Sequence, residues 1–250
     1  MNTDPDSSRV IEAASRSDVG RVRAHNEDLL FIDPGHRWAV LADGMGGYSG
    51  GAIAARIGVE VTCKALDRDY RKGWEANEAS RVATAAVEEA NREVYRAGDR
   101  DPELSNMGST LLVVCPVRGG VVSVHVGDSR LYRFRCGVLQ RLTRDHTLLQ
   151  EYIDEGVFSE EEVMQSGARG VLTRALGVYE TVEVEVGVHD IEPGDVLLLC
   201  SDGLTDMLHE PDIAELLSAA SLEDAAEALV LAANLRGGRD NISVTLMRMG

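Results

Sequence analysis

Aromatic side chains are scarce in this 250-residue chain: Phe, Trp and Tyr make up 4% of it, and prolines number 6. Any core must therefore be aliphatic. At 44%, the hydrophobic residues suffice for a globular fold and are too many for intrinsic disorder. Basic residues are the minority charge, 25 Lys and Arg against 42 Asp and Glu, which leaves a net charge of −17. Such a chain has no global field to draw it to nucleic acid or to an anionic membrane. Long apolar runs are missing; the longest, at 111–115 and 196–200, fall far short of the roughly 20 residues a bilayer demands. The opening MNTDPDSSRV has no apolar centre, so no signal peptide is expected. CxxC spacing is absent. Cys63, Cys115, Cys136 and Cys200 stand alone among apolar or strand-like neighbours, which predicts buried free thiols in a reducing, cytoplasmic setting, with a disulfide or a zinc site as the alternative.

No linker, repeat or low-complexity tract divides the chain. Residues 1–9 are expected to be a disordered leader, and 10–248 a single domain. Strands are expected at 29–33 and 37–42, then helices over 52–66 and 75–97. Ala79, Val82, Ala86, Ala90 and Val94 recur at helical spacing in the second helix. Strands follow at 109–117, 121–126, 131–135 and 138–142. Residues 145–165 read as a charged helical stretch. Val182, Val184, Val186 and Val188 alternate with acids along a strand at 181–188, and the wholly apolar 196–200 fits a strand buried on both faces. Helices at 212–219 and 223–233 and a strand at 241–247 complete the pattern. Strands joined by hairpin turns, with helices in blocks, argue for an α+β fold with antiparallel sheets and against a doubly wound parallel sheet.

Acids stand at the ends of the apolar strands. Asp43 closes AVLAD, Asp202 closes VLLLCSD, and each is followed by Gly; Asp128 closes VHVGD, Asp240 precedes the last strand, and Glu27-Asp28 precede 29–32. Carboxylates gathered at such ends would be desolvated and would repel one another, a cost a divalent cation removes. No His or Cys cluster accompanies them, so oxygen ligation by Mg²⁺, Mn²⁺ or Ca²⁺ is favoured over Zn²⁺. Glycine at position 44 allows close backbone approach and offers a carbonyl. Arg23, four residues before Glu27, has the planar fork that holds phosphate oxygens; on physics alone Arg21 could serve instead.

In order along the chain these segments read GRVRAHNED (20–28), VLADGMGG (40–47), MGST (107–110), VGDSR (126–130), LTRDHTLLQ (142–150), VLTRALG (171–177), LLLCSDGL (197–204) and GRDNISV (238–244). The set resembles the metal-dependent protein phosphatases of the protein phosphatase 2C family, in their compact bacterial form, from about Gly20 to Val244. The resemblance implies an α/β/β/α sandwich, two central antiparallel sheets flanked by helices, with a helical flap at about 145–174 near the active site. It implies two Mn²⁺ or Mg²⁺ ions, with a third in bacterial members. Asp43 would bridge the pair, Asp202 and Asp240 would ligate one metal, and Glu27 and the Gly44 carbonyl the other. Asp128 with Asp202 would hold the third. Asp28 would hydrogen-bond metal-bound water, Arg23 would bind the substrate phosphate, and Asn241 would support Asp240. The implied activity is hydrolysis of phosphoserine and phosphothreonine in phosphorylated proteins, in one step by a metal-activated water. A cognate bacterial Ser/Thr kinase is the implied counterpart, and the family default is a cytoplasmic monomer.

Two departures bear on mechanism. Met45 occupies a slot that is His in many eukaryotic relatives, where it is a proposed general acid. His25 and His146 are nearby by motif, although a structural or surface role suits each better. The segment Ser166-Gly167-Ala168-Arg169-Gly170 replaces the H-P-x-R-N found in many bacterial members, so a more mobile flap is expected. The Glu160-Glu161-Glu162 run could steer basic substrate segments or be a solvated helix face. Two other readings stand beside the phosphoprotein phosphatase. One is a catalytically silent regulatory or binding module, whose signature would be loss of the acids, all of which are present. The other is a hydrolase of small phosphate esters.

Overall fold

The computed structural model describes residues 10–46, 50–159, 162–163, 171–218 and 221–250. Among these residues eleven strands form two antiparallel sheets. The five-stranded sheet has the order β1 (Val10–Asp18), β11 (Ile242–Met249), β10 (Val196–Cys200), β7 (Arg130–Arg135), β8 (Val138–Arg141). The other has the order β2 (Asp28–Ile32), β3 (Ala39–Met45), β5 (Leu111–Val117), β6 (Gly120–Val126), β9 (Glu185–Asp190), with the short β4 (Gly108–Ser109) paired to the end of β3.

Period-two side-chain direction explains why the central strands are apolar throughout. In β10, Leu197 and Leu199 point between the sheets, while Val196, Leu198 and Cys200 point outward under helices. In β3, Ala39 and Leu41 face the inter-sheet core, and Val40 and Ala42 face the opposite helices. Both faces are dry, so neither register position tolerates a polar residue. On one side lie α1 (Gly50–Asp69) and α2 (Ala76–Arg100). On the other lie α5 (Glu210–Leu217) and α6 (Leu222–Leu235). Short helices α3 (Leu148–Asp154) and α4 (Asp202–Thr205) sit between strands. The expected α/β/β/α sandwich is therefore the observed one, and three separate apolar layers hold it together.

Several expectations need correction. β1 escaped sequence reading because VIEAASRSD has few β-branched residues and only Val10 and Ala14 are buried; pairing along β11 makes it a strand. The strand expected at 181–188 instead runs from Glu185 to Asp190. Val182 and Val184 pack beneath the helices, but Val186 and Val188 are exposed on this edge strand. Of the helical stretch expected at 145–165, α3 and the pair 162–163 are helical among the described residues, with turns between, and 160–161 and 164–170 lie outside them. The leader at 1–9 and the SGARG segment also lie outside the described residues. Cys136 is not buried: it is exposed, with φ of 50°, in the turn between β7 and β8, while Cys115 and Cys200 are core residues and Cys63 is half-buried.

Sheet register brings the acidic strand ends together. Asp28 and Asp43 are direct partners across β2 and β3. Cys200 pairs with Arg130 and with Val244, so Asp202, Asp128 and the chain entering β11 extend from the same end of the other sheet.

Candidate metal centre

Each carboxylate has a local reason for its place. The Asp28 Oδ2 accepts from Ser201 Oγ at 2.8 Å, and that hydroxyl in turn accepts from the Ser243 amide at 3.0 Å. The Asp43 amide donates to Thr110 Oγ1 at 2.9 Å. Its carbonyl accepts from the Thr110 amide at 2.8 Å and from Ser109 Oγ at 2.9 Å. Thr110 Oγ1 also bonds Ser129 Oγ at 2.8 Å, tying the Asp43 strand to the turn that carries Asp128. Glu27 is fixed through its backbone: its N–H donates to Asn241 Oδ1 at 2.8 Å, and its carbonyl accepts from Gly44 at 3.2 Å. Asn241 Nδ2 donates to the carbonyls of Val19 and His25. Asn241 therefore braces the Glu27 loop more than Asp240, which it meets only through its own amide at 3.0 Å. Arg23 Nη2 donates to Asp240 Oδ2 at 2.7 Å, which brings its guanidinium to the acids, and the Arg21 backbone N–H donates to the Gly238 carbonyl.

The close approach of α1 to the β3 end requires glycine. A Cβ on Gly51 would stand 2.7 Å from the Gly44 carbonyl carbon and 2.8 Å from Glu27 Oε2. Gly51→Ala is therefore expected to displace the Glu27 carboxylate and to cost about 2 kcal/mol, by overpacking. A thermal melt lowered by roughly 5 °C, with weakened Mn²⁺ binding by calorimetry, would bear this out; an unchanged melt would refute it.

The electrostatics are those of an unneutralised acid cluster. Burial first, then Asp28, Asp202, Asp128 and Asp240, push the Asp43 carboxyl well above the usual carboxylate range. Asp202 is raised in the same way by burial and by Asp128, Asp206, Asp240 and Asp28. Burial pushes Asp28 to about 6, and burial with Asp145 nearby takes Asp128 to about 6. Glu27 is raised by burial as well. Asp28 Oδ1 and Asp202 Oδ1 are buried with no hydrogen-bond partner among the described residues. An arginine on Asp240 neutralises one charge of the set. The donors are all oxygen, two of them orphaned and buried, and the charges repel. That is the environment a hard divalent cation satisfies, so the residues present fit Mn²⁺ or Mg²⁺.

All the expected acids are thus brought together, with Arg23 at the rim. His25 is exposed beside Arg23 and Glu27, whereas His146 is buried with its ring nitrogens against the Gly127 amide and Glu185. Sequence reading missed Ser201, Thr110 and Asp206. The first two lay inside quoted motifs, next to acids. Asp206 follows Asp202 by one helical turn, its amide bonded to the Asp202 carbonyl at 2.7 Å, and an i,i+4 acid pair was the available signal.

An oxygen-lined cation site with an arginine beside it, at the end of an α/β/β/α sandwich, defines a metal-dependent hydrolase for an oxyanion ester. Residues 21–236 match protein phosphatase 2C. The serine/threonine phosphatase stp of Listeria monocytogenes serotype 4b is 36% identical over 241 residues, covering 95% of each chain. The crystal structure of the Mycobacterium tuberculosis serine/threonine phosphatase PstP/Ppp superposes with a TM-score of 0.87 at 34% identity, covering 96% of this chain and 99% of that one. The PstP catalytic domain in complex with two manganese ions gives 0.82 at 34% identity, covering 96% and 98%. The chain belongs to the protein phosphatase 2C family, and its activity is that of a metal-dependent serine/threonine phosphatase.

Proposed function

We propose that this chain hydrolyses phosphoserine and phosphothreonine in proteins in a single step, through the carboxylates placed above. The observation that carries the reading is the convergence of Asp43, Asp202, Asp128, Asp240, Asp28 and Glu27, each raising a neighbour's pKa or raised by burial beside it. Asp43, Asp202 and Asp240, with Glu27 and the Gly44 carbonyl, would hold two metals, and Asp128 with Asp202 a third. Metals bound there supply a nucleophilic water at neutral pH and charge stabilisation for a phosphoryl group. Asp28 then has a defined part: Oδ2 is committed to Ser201, while Oδ1 has no partner and can accept a proton from the attacking water. Arg23, half-exposed and hinged on Asp240, can turn its remaining donors to the phosphoryl oxygens. Met45 has no proton to give, so the leaving oxygen takes its proton from water or another group at the site.

Residues 10–248 form a single catalytic domain in this reading. Support comes from the chain's path, which crosses between the two sheets repeatedly, so neither sheet is a contiguous unit. Segment 145–174 corresponds to the flap; its roots are joined by the Thr147–Leu172 bridge. No described helix is long and apolar enough to cross a membrane. The partners are phosphorylated proteins, opposing a Ser/Thr kinase, and the working unit is a monomer. The test is hydrolysis of a phosphothreonine peptide and of a small phosphate ester, with Mn²⁺ and with EDTA. Turnover of the peptide with Mn²⁺, abolished by EDTA, is expected. Metal binding without turnover would favour a regulatory module, and turnover of the small ester alone would favour a metabolite hydrolase.

A further inference from the structure

His125, His146 and Glu185 place three ligating atoms within 4.8 Å of one another, a spacing that suits a metal. Their hydrogen bonds assign them another role. The Gly127 N–H donates to His146 Nδ1 at 3.1 Å, so that nitrogen carries a lone pair and the ring proton sits on Nε2. Nε2–H faces Glu185 Oε2 at 3.2 Å and donates to it. A metal on Nε2 would force the proton to Nδ1, against the Gly127 N–H, whereas a metal-bound imidazole normally donates its second N–H outward. Arg174 Nη1, 3.4 Å from Nε2, is also a donor and makes no bond there; Arg174 is paired with Glu183 at 3.2 Å. The ring stacks on His125, centroids 4.7 Å apart, and His125 is oriented by its own Nε2–H to the Arg144 carbonyl at 2.9 Å.

What His146 grips is the turn before Asp128. Its main-chain N–H donates to the Gly127 carbonyl at 3.0 Å while its ring takes the Gly127 N–H, closing the residue from both sides. Gly127 has φ of +103°, and a Cβ there would lie 2.6 Å from Thr110 Cγ2, so the turn is wedged between His146 and the threonine that holds Asp43. The His146 carbonyl accepts from Thr173 at 2.9 Å. Leu148 donates to Val171 at 2.9 Å, and Leu176 exchanges bonds with Ser109. One buried side chain thus meets the Asp128 turn, while its carbonyl bonds Thr173, next to the pairing of 147–148 with 171–172.

We propose that His146 is a positioning residue: it clamps Gly127, fixes the Asp128 carboxylate at the metal centre, and ties that placement to the paired residues at 147–148 and 171–173. Glu185 sets the tautomer that makes the clamp. The proposal rests on the phosphatase reading for its catalytic consequence, but not for its metal-binding one.

The two amide substitutions separate the clamp from bulk. In His146→Asn the amide oxygen lies where Nδ1 was and can take the Gly127 N–H. In His146→Gln it lies near Nε2 and leaves that buried N–H unpaired. Calorimetric titration with Mn²⁺ alone is expected to show the weakest Mn²⁺ site about 10-fold weaker in His146→Gln and within about 3-fold of wild type in His146→Asn. With a phosphothreonine peptide, the Mn²⁺ concentration for half-maximal rate should rise in His146→Gln, while kcat at saturating Mn²⁺ stays within about 3-fold. Equal Mn²⁺ affinities in the two variants, whether both native or both weakened, would overturn the proposal. Should His146→Gln lack a cooperative melt, Glu185→Ala, on the part-exposed edge strand, carries the test: about 3-fold weaker Mn²⁺ binding is expected, and unchanged binding would refute the clamp. A wild type that binds Mn²⁺ yet hydrolyses no phosphopeptide would refute the phosphatase reading and leave the calorimetric comparison to decide on His146.

Discussion

Asp202→Asn is expected to lower Mn²⁺-dependent hydrolysis of a phosphothreonine peptide by at least about 100-fold in kcat/KM, because on the proposed assignment it removes a charged metal ligand rather than a supporting contact. Asp202 is repelled by Asp128, Asp206, Asp240 and Asp28, so its charge acts on much of the cluster. Its amide counterpart has nearly the same shape, and the backbone around it is held by other groups: the Asp202 carbonyl accepts from Asp206, and Ser201 bonds Ser243. The fold should therefore survive. Indeed the metal-free variant should melt higher than metal-free wild type, since one buried, repelled charge is gone and the orphaned Oδ1 carries less cost. Activity and stability moving in opposite directions distinguish loss of a functional group from general damage. Equal activity in the variant would show that the metal centre is not where these acids place it.

Much of this was legible in the sequence, for one physical reason. A strand dry on both faces must be continuously apolar, so an acid at its end stands out: Asp43 after AVLA and Asp202 after VLLLCS carry their own signal. The helical stripe of α2 and the buried β10 were readable by the same logic. What stayed hidden depends on pairing rather than on composition. β1 has little intrinsic strand character and exists because β11 offers it a ladder. The valines of β9 read as a buried face, yet Val186 and Val188 are exposed on the sheet edge. Thr110 and Ser201 lay within motifs but reveal their work only when strand register sets their hydroxyls against Asp43 and Asp28. For His146 a structural role was the better expectation, but its partners were not legible. A histidine four residues from a predicted strand end suggests an acid or base, and only the direction of the Gly127 hydrogen bond shows it to be an acceptor locked in one tautomer.

The stabilisation of the fold by Mn²⁺, measured as the melting temperature with metal minus that in EDTA, should grow as pH rises from about 5.5 to 7.5. In metal-free protein Asp28 and Asp128 have folded-state pKa values of about 6, against 3.8 when unfolded, and Asp43 and Asp202 lie higher still. Above pH 3.8 these four carboxyls thus hold more protons folded than unfolded, and linkage makes their contribution to metal-free stability fall as pH climbs through 6 and beyond. Asp212, lowered to about 2 by Arg236, contributes in full above about pH 4 and loses its contribution only below that, so it is flat across this range. His146 opposes the trend: burial first, then His125 and Arg174, hold its pKa near 4, so acidification below about 6.5 protonates the unfolded chain preferentially and destabilises the fold. That contribution is common to the metal-bound and metal-free protein and cancels in the difference. The acids do not cancel, because bound metal requires them deprotonated. At 100 times the dissociation constant the gain is about 2.7 kcal/mol, or roughly 5–10 °C for a chain this size. Protons competing at pH 5.5 should remove most of it. A difference that is flat or falls with pH would mean that these carboxylates are not where the metal binds.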